Sequence, residues 1–147
     1  MERTYTTPLL DKLGVRPGMR VAIVGSLDDD DEADERPEPD DGATFAERLA
    51  ARTADVTIGR PKPDTDLIFL AADSTTELEA LQTLRSRIVP NGAIWVVSRK
   101  GRAATLRDVG VIAAAREHDL VDNKVVSFSG RRTALRLVIP VALRSPR

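Results

Sequence analysis

Arg99, Lys100 and Arg102 gather three cations around Gly101, directly after Ser98. An arginine fork and a lysine point charge can together hold a phosphate or a carboxylate. The same residues also suit a solvated loop ahead of a helix. Asp73 could act as a base or bind a metal. It also stands beside Ser74 and Glu77, whose spacing is that of a capping box, so a capping role competes. His118 is the single histidine, between Glu117 and Asp119. A hydrolytic triad would need a serine in an activating turn, and the sequence has no Gly-x-Ser-x-Gly. A histidine closing a helix is itself stabilising, and a surface position is expected for it. The absence of cysteine excludes disulfides, thiolate metal sites and a cysteine nucleophile. The acidic run from Asp28 to Asp41 lacks the glycine and final glutamate of a calcium loop. Neither a metal site nor a catalytic set is therefore expected.

The elements that must position these groups centre on Asp66 to Ser98. Leu67 to Ala72 and Ala93 to Val97 are continuous apolar runs, as strands covered on both faces require. Between them Leu78, Leu81, Leu84 and Ile88 recur at helical spacing, and Pro90-Asn91-Gly92 reads as the stop and turn. Strand, helix and strand in this order predict a right-handed βαβ unit. Upstream, Thr7 to Gly14 carries the punctuation of a short helix, with Thr7 as cap and Pro8 in the first position. Arg16-Pro17-Gly18 turns into a strand over Arg20 to Val24, and Ala43 to Arg52 reads as a helix. Asp55 to Ile58 reads as a brief strand. Its link to the next strand is shorter than a parallel crossover normally needs, so both orientations stay open.

Downstream, a helix ending near Asp119 is expected to turn Leu106, Val109, Ile112 and Ala113 inward, with Thr105 or Asp108 as cap. Leu120 to Phe128 and Ala134 to Val141 form an antiparallel hairpin about Ser129 to Arg132. Trp95, inside an apolar run, should be core, needing one partner for its N–H. In such a sheet ligands bind outside the carboxyl ends of the strands. That edge would gather Gly25, Ser26, Ala72 to Ser74, and Ser98 to Lys100. The candidate ligand-binding residues are Gly25, Ser26, Asp73, Ser98, Arg99, Lys100 and Arg102.

The chain's 147 residues and 41% apolar content suit one domain, 1–147, with a core filled by aliphatic side chains. The net charge of −1 conceals two unlike halves. Residues 1–73 carry 9 basic and 17 acidic side chains, a net of −8, whereas 74–147 carry 13 and 6, a net of +7. Like charges repel, so 27–42 is expected as a flexible acidic loop and 143–147 as a frayed tail. No apolar run approaches the ~20 residues of a membrane span. The N-terminus lacks the layout of a signal peptide, and a cytoplasmic protein is expected. Nothing indicates nucleic acid.

Pro17 to Gly25 resembles the turn and first strand of class I methyltransferases that use S-adenosylmethionine. Ile88 to Val97 is similar to their Leu-x-Pro-Gly-Gly turn and fifth strand. The sequence also resembles an uncharacterised bacterial family of short domains of unknown function. The shared features are Lys12-Leu13-Gly14 with Pro17-Gly18, then Gly92 to Val96, Lys100, Ser129-Gly130 and Leu137-Val138. The resemblance implies a three-layer α/β Rossmann-like fold, a shortened methyltransferase-like, mostly parallel sheet with a C-terminal antiparallel hairpin. Active members of the methyltransferase class have a Gly-x-Gly loop after the first strand and an acidic residue ending the second. Here Gly25 is followed by Ser26-Leu27-Asp28, and the second position is Gly59-Arg60. The expectation is therefore a non-catalytic binding or interaction protein without a cofactor. Its partner would be a small anionic ligand or another protein, engaged at the strand-end rim. The alternative is an S-adenosylmethionine-dependent methyltransferase.

Overall fold

The computed structural model describes residues 8–27 and 44–144. Most of the expected acidic loop, Thr7 as a cap, and the end of the tail lie outside the described residues. The strands are β1 (Arg20–Val24), β2 (Asp55–Ile58), β3 (Thr65–Ala71), β4 (Ile88–Arg99), β5 (Val121–Ser127) and β6 (Arg132–Val138). The helices are α1 (Leu9–Lys12), α2 (Phe45–Arg52), α3 (Leu81–Arg85) and α4 (Asp108–Glu117). The sheet has six strands in the order β2-β1-β3-β4-β6-β5. β1 to β4 are parallel, and β6 joins β4 antiparallel as the return of the β5–β6 hairpin.

Alternate residues of each central strand serve different layers. Val21, Ile23, Leu67, Phe69, Trp95 and Val97 pack with Leu10 and Leu13 near α1 and with Phe45 and Leu49 of α2. Ala22, Ile68, Leu70, Ile94 and Val96 pack with Leu81 and Leu84 of α3 and with Val111 and Ala115 of α4. This is why the strand runs are apolar without alternation: both faces are covered. Phe45 ties α2 down edge-on to Phe69, with ring centroids 5.2 Å apart, and to Phe128 at 4.8 Å. A capping box fixes the start of α2. The Thr44 hydroxyl accepts the Glu47 N–H at 3.1 Å, and the Glu47 carboxylate accepts the Thr44 N–H at 2.9 Å.

β2 is parallel to β1, which resolves its orientation. Because β2 has only four residues, the short link 59–64 can return. Six extended residues reach ~20 Å, enough to descend a strand of ~13 Å and pass beneath β1. Arg20 stitches this return. Its Nε donates to Asp55 at 2.9 Å and its Nη1 to the Pro63 carbonyl at 2.7 Å.

Other expectations are corrected. The helix of the βαβ unit is short: a 3₁₀ turn over Glu77–Ala80 leads into α3, and Ile88 already belongs to β4. Pro90-Asn91-Gly92 is not a turn before the strand but a bulge inside it. Thr65 pairs with Ile88 and Leu67 with Ala93, so two steps along β3 face five along β4. In α4 the buried residues are Val111 and Ala115, while Val109 is 72% exposed and Ala113 also faces out. Small and branched apolar residues surround that helix, so periodicity could not select its inner side. Its N-cap is Arg107, without a side-chain cap. Finally, Leu27, expected to begin the acidic loop, is buried in the α1–α2 layer. At the chain's other end, Leu143 closes a 3₁₀ turn over Val141–Leu143, and Arg144 donates to the Ile139 carbonyl at 2.9 Å. Pro8 is the N-cap of α1 rather than its first residue.

Candidate functional site

The carboxyl ends of β1, β3 and β4 lie side by side, which brings together most of the residues singled out from the sequence. Asp73, just beyond β3, accepts the Arg99 backbone N–H at 2.8 Å. Its other oxygen is 3.8 Å from Arg99 Nε. The pairing of Ala71 with Val97 puts residues 73 and 99 in register, so this contact follows from the strands. Asp73 is therefore not the side-chain cap of the next helical turn. That task falls to Ser74, whose hydroxyl accepts the Glu77 N–H at 3.2 Å, and to Glu77, which accepts the Asp73 N–H at 2.7 Å. Thr105 does not cap α4 either; its hydroxyl donates to the Asp73 carbonyl at 2.6 Å. Asp73 thus anchors the loop after β4 as well as the end of β3.

The basic loop is held from the other side by the hairpin. Lys100 donates its N–H to the Arg131 carbonyl at 3.0 Å and its ammonium to Ser127 Oγ at 2.8 Å. Arg99 pairs directly with Arg132 across β4 and β6. Arg102 is exposed in a 3₁₀ turn over Gly101–Ala103. Arg131 is exposed and Arg132 buried, and sequence reasoning had assigned both only to the hairpin turn. The signal was the doublet itself: an antiparallel return must carry its first residues to the end of β4.

Ser98, on β4 opposite Thr133 of β6, is buried and not part of the open rim surface. Gly25 and Ser26 are exposed at the end of β1. Gly25 has φ +91°, and a Cβ there would lie 3.0 Å from the Ala71 side chain. The glycine serves a tight exit against β3. His118 is partly buried after α4, away from these strand ends. Trp95 is fully buried, and its indole donates to the Leu13 carbonyl at 3.2 Å. Among the described residues no group of three metal-binding side chains comes together. No described helix is long and apolar enough to cross a membrane.

No family model matches the sequence. No curated protein matches it in sequence either. Solved structures do match in fold. An S-adenosylmethionine-dependent methyltransferase from Aquifex aeolicus superposes with a TM-score of 0.58 at 14% identity, covering 89% of this chain and 88% of that one. The fold is a shortened methyltransferase fold. An S-adenosylmethionine-dependent O-methyltransferase from Thermotoga maritima gives 0.53 at 10% identity, over 100% of this chain and 70% of the other. Magnesium protoporphyrin IX methyltransferase from Synechocystis PCC 6803, with S-adenosylmethionine bound, gives 0.52 at 12%, over 89% and 74%. At such identities the likeness is one of backbone architecture, and site chemistry has to be argued from the residues.

Proposed function

We propose that this protein is a non-catalytic binding module that takes a small anionic ligand at the carboxyl-end rim of its methyltransferase-like sheet. The observation that carries this reading is the convergence of Arg99, Lys100, Arg102 and Arg131 on one edge, with Asp73 occupied by the Arg99 N–H. Two loops from different strands supply those cations, so an anion there would meet forks and a point charge together. The rim has little that would suit S-adenosylmethionine. A Cβ at Gly25 would meet the Ala71 side chain at 3.0 Å, so close packing against β3 is enough to require this glycine. β2 is followed directly by Gly59-Arg60, where a ribose-binding carboxylate would be needed.

Methyl transfer from S-adenosylmethionine is the second reading, and the shared fold of enzymes so described favours it. A thermal-shift series separates the two. The ligands are phosphate, pyrophosphate, sugar phosphates, S-adenosylmethionine and its demethylated product. A ligand binding only the native state stabilises it by ~2.7 kcal/mol at a hundredfold excess over Kd. Stabilisation by the phosphates, reduced in Arg99→Gln/Lys100→Gln, supports the first reading. Stabilisation by S-adenosylmethionine and its product alone supports the second.

A further inference from the structure

At the opposite edge of the sheet the bulge in β4 has a consequence of its own. The bulged stretch places Asn91 and Gly92 in the wall of a cleft of about 360 Å³. Gly92 permits this shape, since a Cβ there would come within 2.8 Å of the Asp66 carbonyl oxygen. That volume is within the range of small-molecule sites, roughly 300–1,000 Å³. Lys12 and Arg16 flank the cleft from α1 and the loop after it, and Lys124 and Arg136 from the hairpin. Among the described residues Asp66 is the one carboxylate in its lining, and that group already accepts the Arg20 N–H at 2.9 Å.

None of the four cations forms an ion pair with a carboxylate among the described residues. Lys124 donates to the Lys12 carbonyl at 3.0 Å, and Arg136 to the Asn123 side-chain oxygen at 3.3 Å. Those partners are neutral. Arg136 is half-buried opposite Trp95, and burial followed by the nearby Arg144 disfavours its charge. Holding a partly desolvated guanidinium against other cations is unfavourable unless an anion completes the site.

We propose that this cleft is a binding site for a small phosphorylated molecule, whose phosphate is held by Arg16, Lys124 and Arg136. It is separate from the rim. Along β4, Arg99 and Trp95 are four residues apart, about 13 Å at the rise of a strand, and Asn91 and Gly92 lie further still. The arginines supply planar forks and the lysine a point charge, a combination that suits a phosphate better than a monocarboxylate.

Trp95 is the chain's only tryptophan and forms part of the cleft lining, so its fluorescence reports on this site. Titration of the full chain with pyrophosphate should give a saturable change in emission. Arg136→Gln and the exposed Arg16→Glu should each weaken that binding about tenfold, which is ~1.4 kcal/mol. Both variants are checked by thermal melting. Arg99→Gln/Lys100→Gln, which removes rim cations, should leave the fluorescence titration unchanged. The proposal is overturned if millimolar pyrophosphate gives no saturable change. It is equally overturned if Arg16→Glu and Arg136→Gln both bind as the parent does, or if the rim variant abolishes the signal.

Discussion

Removing the charge of Asp73 should strengthen anion binding at the rim while leaving the fold in place. The carboxylate does two things: it accepts the Arg99 N–H at 2.8 Å and it approaches the Arg99 side chain at 3.8 Å. Asp73→Asn keeps an oxygen for the N–H and removes the charge. A unit negative charge ~5 Å from a bound anion costs ~0.8 kcal/mol in water and ~3 kcal/mol at an effective dielectric of 20. Arg99 is half-exposed, so the lower end applies, and pyrophosphate affinity should rise about fourfold. Asp73→Ala removes the acceptor too. A hydrogen bond to a charged group contributes ~1.5–3 kcal/mol, and solvent access to this site points to the lower value. Urea denaturation should then place the alanine variant ~1–2 kcal/mol below the parent, with asparagine between them. Calorimetric titration with pyrophosphate at low salt supplies the affinities. If Asp73→Asn binds pyrophosphate more weakly than the parent, the carboxylate is part of the ligand site and the electrostatic reasoning is wrong.

Gly92→Ala should destabilise the fold by at least ~1–3 kcal/mol, because its Cβ would meet the Asp66 backbone oxygen at 2.8 Å and main chain cannot step aside like a side chain. A denaturant midpoint equal to the parent's would show that the bulge is soft. The hydrogen bond from Arg20 holds the Asp55 carboxyl below the usual carboxylate range. A depressed folded-state pKa contributes stability that is present above the unfolded value and lost as pH falls through the folded one. Asp55→Asn should therefore flatten part of the acid limb of a stability–pH profile and lower stability at neutral pH. An unchanged acid limb would remove Asp55 from that account.

The central strands were readable because burial on both faces leaves a plain signature, seen in Leu67 to Ala72 and Ala93 to Val97. The rim followed, since parallel strands put Gly25, Asp73 and Arg99 at one edge once their ends are known. What escaped depended on partners distant in sequence. Pro90-Asn91-Gly92 has turn composition, and only its pairing with β3 makes it a bulge. The inner side of α4 is chosen by the sheet and not by its own apolar residues. Arg131 and Arg132 looked like turn residues because the register that sets Arg132 opposite Arg99 is a property of the hairpin. The cleft lined by Arg16, Lys124 and Arg136 escaped for the same reason: its residues come from five separate stretches of chain.

The most direct test of anion binding at the rim is a two-dimensional amide spectrum of the intact protein, titrated separately with pyrophosphate and with S-adenosylmethionine. The account predicts saturable shifts at Arg99, Lys100, Gly101, Arg102 and Arg131 with pyrophosphate, diminishing as salt is raised. It predicts none at Gly25, Ser26 or Gly59 with S-adenosylmethionine. Shifts at those three residues with S-adenosylmethionine, and a rim unmoved by pyrophosphate, would contradict it.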